Sequence, residues 1–144
     1  MRILVQRSGK SSVLVNDEIV GSIDHGLVLF VGFKATDNED DVEYLVHKLI
    51  NLRIFPDEKG VMNKSVLDAK GSILSISQFT LYADTLKGNR PSYKNALEPV
   101  KANHLYQLFN EKLKEYIHVE TGIFGENMDV LLHNDGPVTI LLER

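Results

Sequence analysis

The chain has 144 residues, 43% of them hydrophobic and 25% charged, which suits one domain with a real apolar core. It has no cysteine, so a disulfide framework, a thiolate nucleophile and a Cys-ligated zinc are excluded. A net charge of −4, from 16 basic and 20 acidic residues, argues against a protein that wraps nucleic acid, which is ordinarily basic. Charge is nevertheless uneven. Acidic residues gather in "DNEDDVE" (37–43), whereas "KGNRPSYK" (87–94) holds three cations and no anion. Any RNA footprint is therefore expected to be local and small. No apolar run approaches the ~20 residues of a membrane span. The stretch "MRILVQR" lacks the apolar region and cleavage site of a signal peptide, so a cytoplasmic location is expected.

In chain order, "RILVQR" reads as a first strand. "SVLVNDEIVGSI" (12–23) alternates apolar and polar residues around Asn16-Asp17, which predicts a hairpin. "GLVLFVGF" (26–33) is continuously apolar and reads as a strand buried on both faces. The period then changes. Val42, Leu45, Val46, Leu49 and Ile50 have helical spacing, with Thr36 or Asp37 as N-cap and Pro56 soon after the end. "FPDEKGVMNKS" (55–65) is loop, and "GSILSISQFTLYAD" (71–84) is a long strand. After the loop "TLKGNRPSY" a second amphipathic helix runs from about Asn95 to Tyr116, with Leu105, Leu108, Phe109 and Leu113 on one face. The tail holds a short strand near "IHVETG", a loop "IFGEN" and a final hairpin. In that hairpin "MDVLL" and "TILLE" flank a turn at Asn134-Asp135-Gly136-Pro137. The order predicts an α+β fold, two helices packed on a mostly antiparallel sheet, in a single domain spanning 1–144.

The histidines His25, His47, His104, His118 and His133 include no pair at H-x-x-x-H spacing. Structural roles account for each, and no metal is predicted. There is no G-x-S-x-G elbow and no glycine-rich phosphate loop, so no cofactor is expected. "SISQFTLYAD" carries more information. Ser75, Ser77 and Phe79 alternate with Ile76, Gln78 and Thr80, and small polar residues around one Phe leave space above a sheet. They also leave backbone N–H groups within reach of a ligand. An edge strand with a solvated face fits the same composition, and residue types alone favour it. Arg53 reads either as a buried ion-pair partner or as the snorkelling end of a helix.

Seven segments, "MRILVQR", "NLRIF", "GVMNKS", "SQFTLYAD", "KGNRPSY", "TGIFGENM" and "NDGPVT", stand in the order and spacing of the D-aminoacyl-tRNA deacylase family, which the chain resembles over its whole length. It departs from the family pattern at Ser8-Gly9-Lys10 and at Glu126, beside the motifs rather than in them. The resemblance implies a barrel-like, homodimeric α+β fold. The activity it implies is hydrolysis of the ester joining a D-amino acid to the terminal adenosine of tRNA, with glycyl-tRNA also accepted. It places the oxyanion donors at Gln78, Phe79 and Thr80. Thr80 is the side-chain candidate for a nucleophile, but no base is tied to it by motif, so an activated water oriented by the ribose 2′-OH is preferred. Ser77, Phe124 and Met128 would line the substrate pocket. Gly136-Pro137 would be a cis peptide that enters the other subunit's pocket and rejects L-aminoacyl groups, braced by Arg7. Lys87, Arg90 and Lys94 are candidate phosphate contacts, and a solvated loop explains these three equally well. The partners implied are aminoacyl-tRNA and a second copy of the chain, with no membrane and no DNA. The competing readings are a non-catalytic module that binds aminoacyl-tRNA or an RNA end, and a conventional hydrolase of small esters.

Overall fold

A computed structural model describes residues 1–144. The first strand, β1 (Arg2–Ser8), buries Ile3 and Val5 completely. A hairpin follows, β2 (Ser11–Val15) and β3 (Glu18–Ile23). It turns at Asn16 and Asp17, which both have positive φ as a tight two-residue hairpin loop requires. β4 (Gly26–Gly32) is buried along its whole length except at Phe30. After the helix α1 (Glu39–Ile50), the short strands β5 (Phe55–Pro56) and β6 (Met62–Lys64) pair within the segment read from sequence as loop. β7 (Ser72–Ser77), a 3₁₀ turn (Phe79–Tyr82), α2 (Pro99–Lys114), β8 (Val119–Thr121), β9 (Asp129–Leu131) and β10 (Asn134–Glu143) complete the chain.

The main sheet has the order β10-β1-β4-β7-β8. Its β10-β1-β4 half is antiparallel, and its β4-β7-β8 half is parallel. Parallel neighbours need a crossover, and α1 and α2 supply the two. The central sheet is therefore mixed, although five of the seven strand pairings are antiparallel. Both helices cover one face, where Leu29, Val31, Leu45, Leu49, Phe109 and Leu113 form the main core. A small sheet, β3-β2-β9, covers β4 and β7 on the other face through Val13, Ile23, Val28, Leu74 and Ile76. It leaves a stripe on the outer face of β10 and β1. There Leu141, Leu4 and Phe30 lie in register across three strands, and Leu141 is 49% exposed.

Three boundaries differ from the sequence reading. The strand expected over 71–84 ends at Ser77, because Gln78 N–H makes a last ladder bond to Val31 O and the chain then turns over Gly32. A Cβ at Gly32 would stand 2.8 Å from Gln78 O, so only glycine admits this crossing. α2 starts at Pro99 rather than near Asn95, with Pro in its first turn and Glu98 capping the N–H groups of Val100 and Lys101. The terminal hairpin does not form. β9 pairs with β2 and β10 pairs with β1, so Leu132-His133 carries the chain from one sheet to the other, and Asn134–Pro137 lies in the irregular first part of β10. No helix is long and apolar enough to cross a membrane.

The N-cap of α1 is Asn38, not Thr36 or Asp37. Its side chain accepts from the N–H groups of Asp40 and Asp41, and Asp41 answers by accepting from Asn38 N–H in a capping box. Asp37 is engaged elsewhere, by the Met1 amino group at 2.6 Å and the Lys34 N–H at 2.8 Å. Asn38→Ala should lower the unfolding free energy by about 1 kcal/mol in a urea melt, whereas Thr36→Ala should stay within about 0.5 kcal/mol of wild type.

Candidate active site

β7 is buried from Ile73 to Ile76, but Ser77 and Gln78 are half-buried and Phe79 is 57% exposed. Burial falls where the chain leaves the parallel ladder and enters the 3₁₀ turn. The leading N–H groups of such a turn, here those of Phe79 and Thr80, have no acceptor inside it. The Gln78 N–H differs, because Val31 O accepts it at 2.7 Å. The expected trio of main-chain donors at Gln78, Phe79 and Thr80 is thereby reduced to the last two. The Gln78 side chain turns back on the same segment, its Nε2 donating to Thr80 Oγ1. No histidine or carboxylate bonds the Thr80 hydroxyl.

Two clefts meet at this strand end. The first, of about 400 Å³, lies between β7 and the N-terminal turn of α2 and is lined by Val31, Phe33, Phe79, Tyr93, Ala102 and Phe124 among others. Phe79 and Tyr93 meet edge to face at 4.9 Å between centroids. The second, of about 270 Å³, opens on the other side of Phe79 among Ile76, Glu126, Asn127, Met128 and Val130. Ser77, Gln78, Phe79 and Gly125 border both, so the strand end forms the ridge between them. Ser77, Gln78, Phe79, Phe124 and Met128 thus come together, while Thr80 sits beside the ridge and lines neither cleft.

Arg7, Gly136 and Pro137 form a separate group. The Gly136-Pro137 peptide is cis, and both residues are exposed. Arg7 does not donate to the carbonyls of this pair. Its Nη1 donates to Ile54 O at 2.8 Å, and its Nε stands 2.9 Å from Asp135 Oδ2 without an aligned hydrogen bond. Asn134 and Ser72 share one level of the sheet through Ser8 and Gly26. Three strand spacings across and five residues along therefore separate Gly136-Pro137 from Ser77, roughly 14 Å by roughly 17 Å. Lys87, Arg90 and Lys94 lie exposed on the loop before α2, and the same loop sends Tyr93 into the first cleft. Arg53 is exposed, with Nε donating to Asn63 O.

Sequence reasoning missed Tyr93 and Ala102. Tyr93 was hidden among the cations of "KGNRPSYK", and Ala102 is legible only as a small residue on the inward face of a helix. It also missed Tyr106, whose hydroxyl donates to Ser75 O beneath the site.

A family profile described as D-Tyr-tRNA(Tyr) deacylase matches residues 4–143. The chain belongs to this deacylase family. It is 56% identical over 144 residues to the D-aminoacyl-tRNA deacylases of Bacillus mycoides (strain KBAB4) and Bacillus cytotoxicus (strain DSM 22905 / CIP 110041 / 391-98 / NVH 391-98), covering 99% of each chain in both comparisons. A solved structure titled "c-Myc DNA Unwinding Element Binding Protein" superimposes with a TM-score of 0.95 at 39% identity, covering 100% of this chain and 99% of that one. A second, titled "Structural Analysis of a probable eukaryotic D-amino acid tRNA deacylase", gives a TM-score of 0.85 at 17% identity over 98% and 97%, and shows the shared fold.

Gly136 has φ +117°, and a Cβ there would stand 2.8 Å from Val138 Cγ2 and 2.9 Å from Arg7 Nη2. Gly136→Ala should therefore lower the unfolding free energy by about 1–3 kcal/mol, measured by chemical denaturation.

Proposed function

We propose that this protein hydrolyses the ester of D-aminoacyl-tRNA, releasing a D-amino acid and tRNA. The observation that carries the reading is the strand end itself. The Phe79 main-chain donor stands on the ridge between two clefts, and that of Thr80 follows directly beside it. An ester is already activated, so the enzyme must chiefly hold the carbonyl and stabilise its oxyanion. Fixed N–H groups do this without reorganising. The first cleft has the size of a small-molecule site, and its aromatic walls suit a stacked base such as the terminal adenine. The second cleft is left for the aminoacyl end.

Water is the proposed nucleophile, oriented by the ribose 2′-OH. Thr80 is ill-suited to the part, because its hydroxyl faces an amide and not a base. Thr80→Ala should keep deacylation within about tenfold of wild type, whereas removal of a true nucleophile costs on the order of 10⁴-fold or more. A loss of that size would restore Thr80 as the attacking group.

Selection for D is assigned to the main chain of Gly136-Pro137, supplied by one protomer to the Ser77–Phe79 ridge of its partner. The separation of these groups within one chain supports this reading. So does the half-exposed apolar pair of Leu141 and Leu4, which lies beyond Phe30 at the edge of the small sheet's cover. A two-fold dimer buries one such pair on the other and builds two equivalent sites. Main-chain carbonyls beside the substrate Cα would hold its amino group and leave no room for an L side chain. Handedness is then read without reading side-chain identity, and glycine, with nothing to reject, passes. Lys87, Arg90 and Lys94 would meet phosphates near the acceptor end. The cytoplasm, where charged tRNA is found, would be the place of action.

The name of the 39%-identical structure favours a second reading, a nucleic-acid-binding module without turnover. One assay separates them. The protein is incubated with D-tyrosyl-tRNA, with L-tyrosyl-tRNA and with D-tyrosine ethyl ester. Turnover of D-tyrosyl-tRNA alone is expected. Retained binding without turnover would favour the module, and cleavage of the ethyl ester or sensitivity to EDTA would favour a conventional hydrolase. Leu4→Glu should yield a monomer in sedimentation and abolish D-specific turnover. A folded monomer with full D-specificity would overturn the cross-subunit site.

A further inference from the structure

We propose that Tyr106 is a positioning residue of the candidate site, acting through the main-chain carbonyl of Ser75. The proposal deepens the deacylase reading and rests on it. Tyr106 lies on α2 and is 1% exposed. Its hydroxyl donates to Ser75 O at 2.8 Å. The same carbonyl accepts the N–H of Gly122 at 3.1 Å. One oxygen thus ties helix α2, strand β7 and the chain leaving β8.

Both tied segments lead directly into the candidate site. Two residues beyond Ser75 is Ser77, and two beyond Gly122 is Phe124. These are facing walls of the first cleft. The Tyr106 ring also packs on Phe124, with centroids 5.9 Å apart and planes at 42°. A single side chain therefore touches both walls, one through its hydroxyl and one through its ring. Gly122 in addition underlies Met128, whose sulfur occupies the space a Cβ would need. Both clefts are thereby referenced to the same junction.

The polar groups at this spot are only partly paired. Ser75 is fully buried and Asn110 is 3% exposed, yet Ser75 Oγ and Asn110 Oδ1 have no hydrogen-bond partner. Buried polar groups left unpaired are destabilising, and apolar replacements of similar shape are often neutral or better. A directional bond does what apolar packing alone does not: it fixes the angle as well as the distance at which β7 meets α2. Burial raises the Tyr106 hydroxyl above its ordinary range, so it remains a neutral donor at physiological pH.

The test compares Tyr106→Phe, which keeps the ring and removes the hydroxyl, with Leu113→Ala, which truncates a fully buried core residue on the same helix. For Tyr106→Phe, kcat on D-tyrosyl-tRNA should fall about tenfold with KM within about twofold, the kinetic equivalent of one buried hydrogen bond lost from placement. Amide hydrogen exchange should rise about tenfold at the bonded amides of Gln78 and Gly122 and stay unchanged in α1. Leu113→Ala should lower Tm at least as much while leaving kcat at wild type. An unchanged kcat or unchanged exchange in Tyr106→Phe would overturn the proposal, as would an equal loss of kcat in Leu113→Ala. If the wild-type protein hydrolyses no aminoacyl-tRNA, the deacylase reading fails, and the exchange measurement alone decides whether Tyr106 sets the two walls.

Discussion

The hydrogen bond from Gln78 N–H to Val31 O is the last rung of a parallel ladder, and the candidate site begins where that ladder stops. The main-chain groups of β7 are committed to β4 as far as Ser77 and to β8 as far as Ser75. Beyond Gln78 the chain tightens into a 3₁₀ turn, and its first N–H groups are free to face a ligand. This arrangement needs a parallel neighbour that ends at the same level. β4 provides it by ending at Gly32, over which the chain of Gln78 crosses. It also needs a crossover helix before β7 and another after it in the chain, and both helices cover the core on one face. The clefts, the core and the mixed sheet are consequences of one topological choice.

The division of faces follows from the same sheet. β4 and β7 are covered twice, by helices on one side and by the small β3-β2-β9 sheet on the other. That double cover is why "GLVLFVGF" is continuously apolar. β1 and β10 are covered once. Their outer residues alternate as a half-exposed strand should, yet Leu4 and Leu141 are apolar where a solvated face would carry polar groups. An antiparallel pair that leaves leucines on its open face has the composition of a surface made to be covered.

Local patterns were legible where the chemistry is local. The Asn16-Asp17 turn, the apolar run of β4 and the period of α1 all follow from a few adjacent residues. Other features depend on distant partners. Nothing within "MDVLL" or "TILLE" reveals that their edges belong to different sheets, because that depends on where β1 and β2 leave open edges. The end of β7 was misplaced because Phe79 and Thr80 have strand propensity, and the bond that ends the ladder comes from Val31, far away in sequence. At the site, Ser77, Phe79, Phe124 and Met128 could be named through the resemblance of short motifs. Tyr93 and Ala102 could not, since they reach the cleft only because α2 packs where it does. Arg7 was placed beside Gly136, but its partners, Ile54 O and the Asp135 carboxylate, required coordinates.

The donors at the strand end are main-chain groups, and this changes what mutation can do to them. A substitution at Phe79 or Thr80 alters what hangs over the cleft and, proline apart, leaves the N–H in place. No single codon encodes the donor pair, so none can simply delete it. What can displace it is a movement of the backbone, and the residues that resist such movement are buried behind it, in β4, β7 and α2. The vulnerable positions for the proposed chemistry therefore lie in the interior. The rim is comparatively free to vary in size, charge and shape.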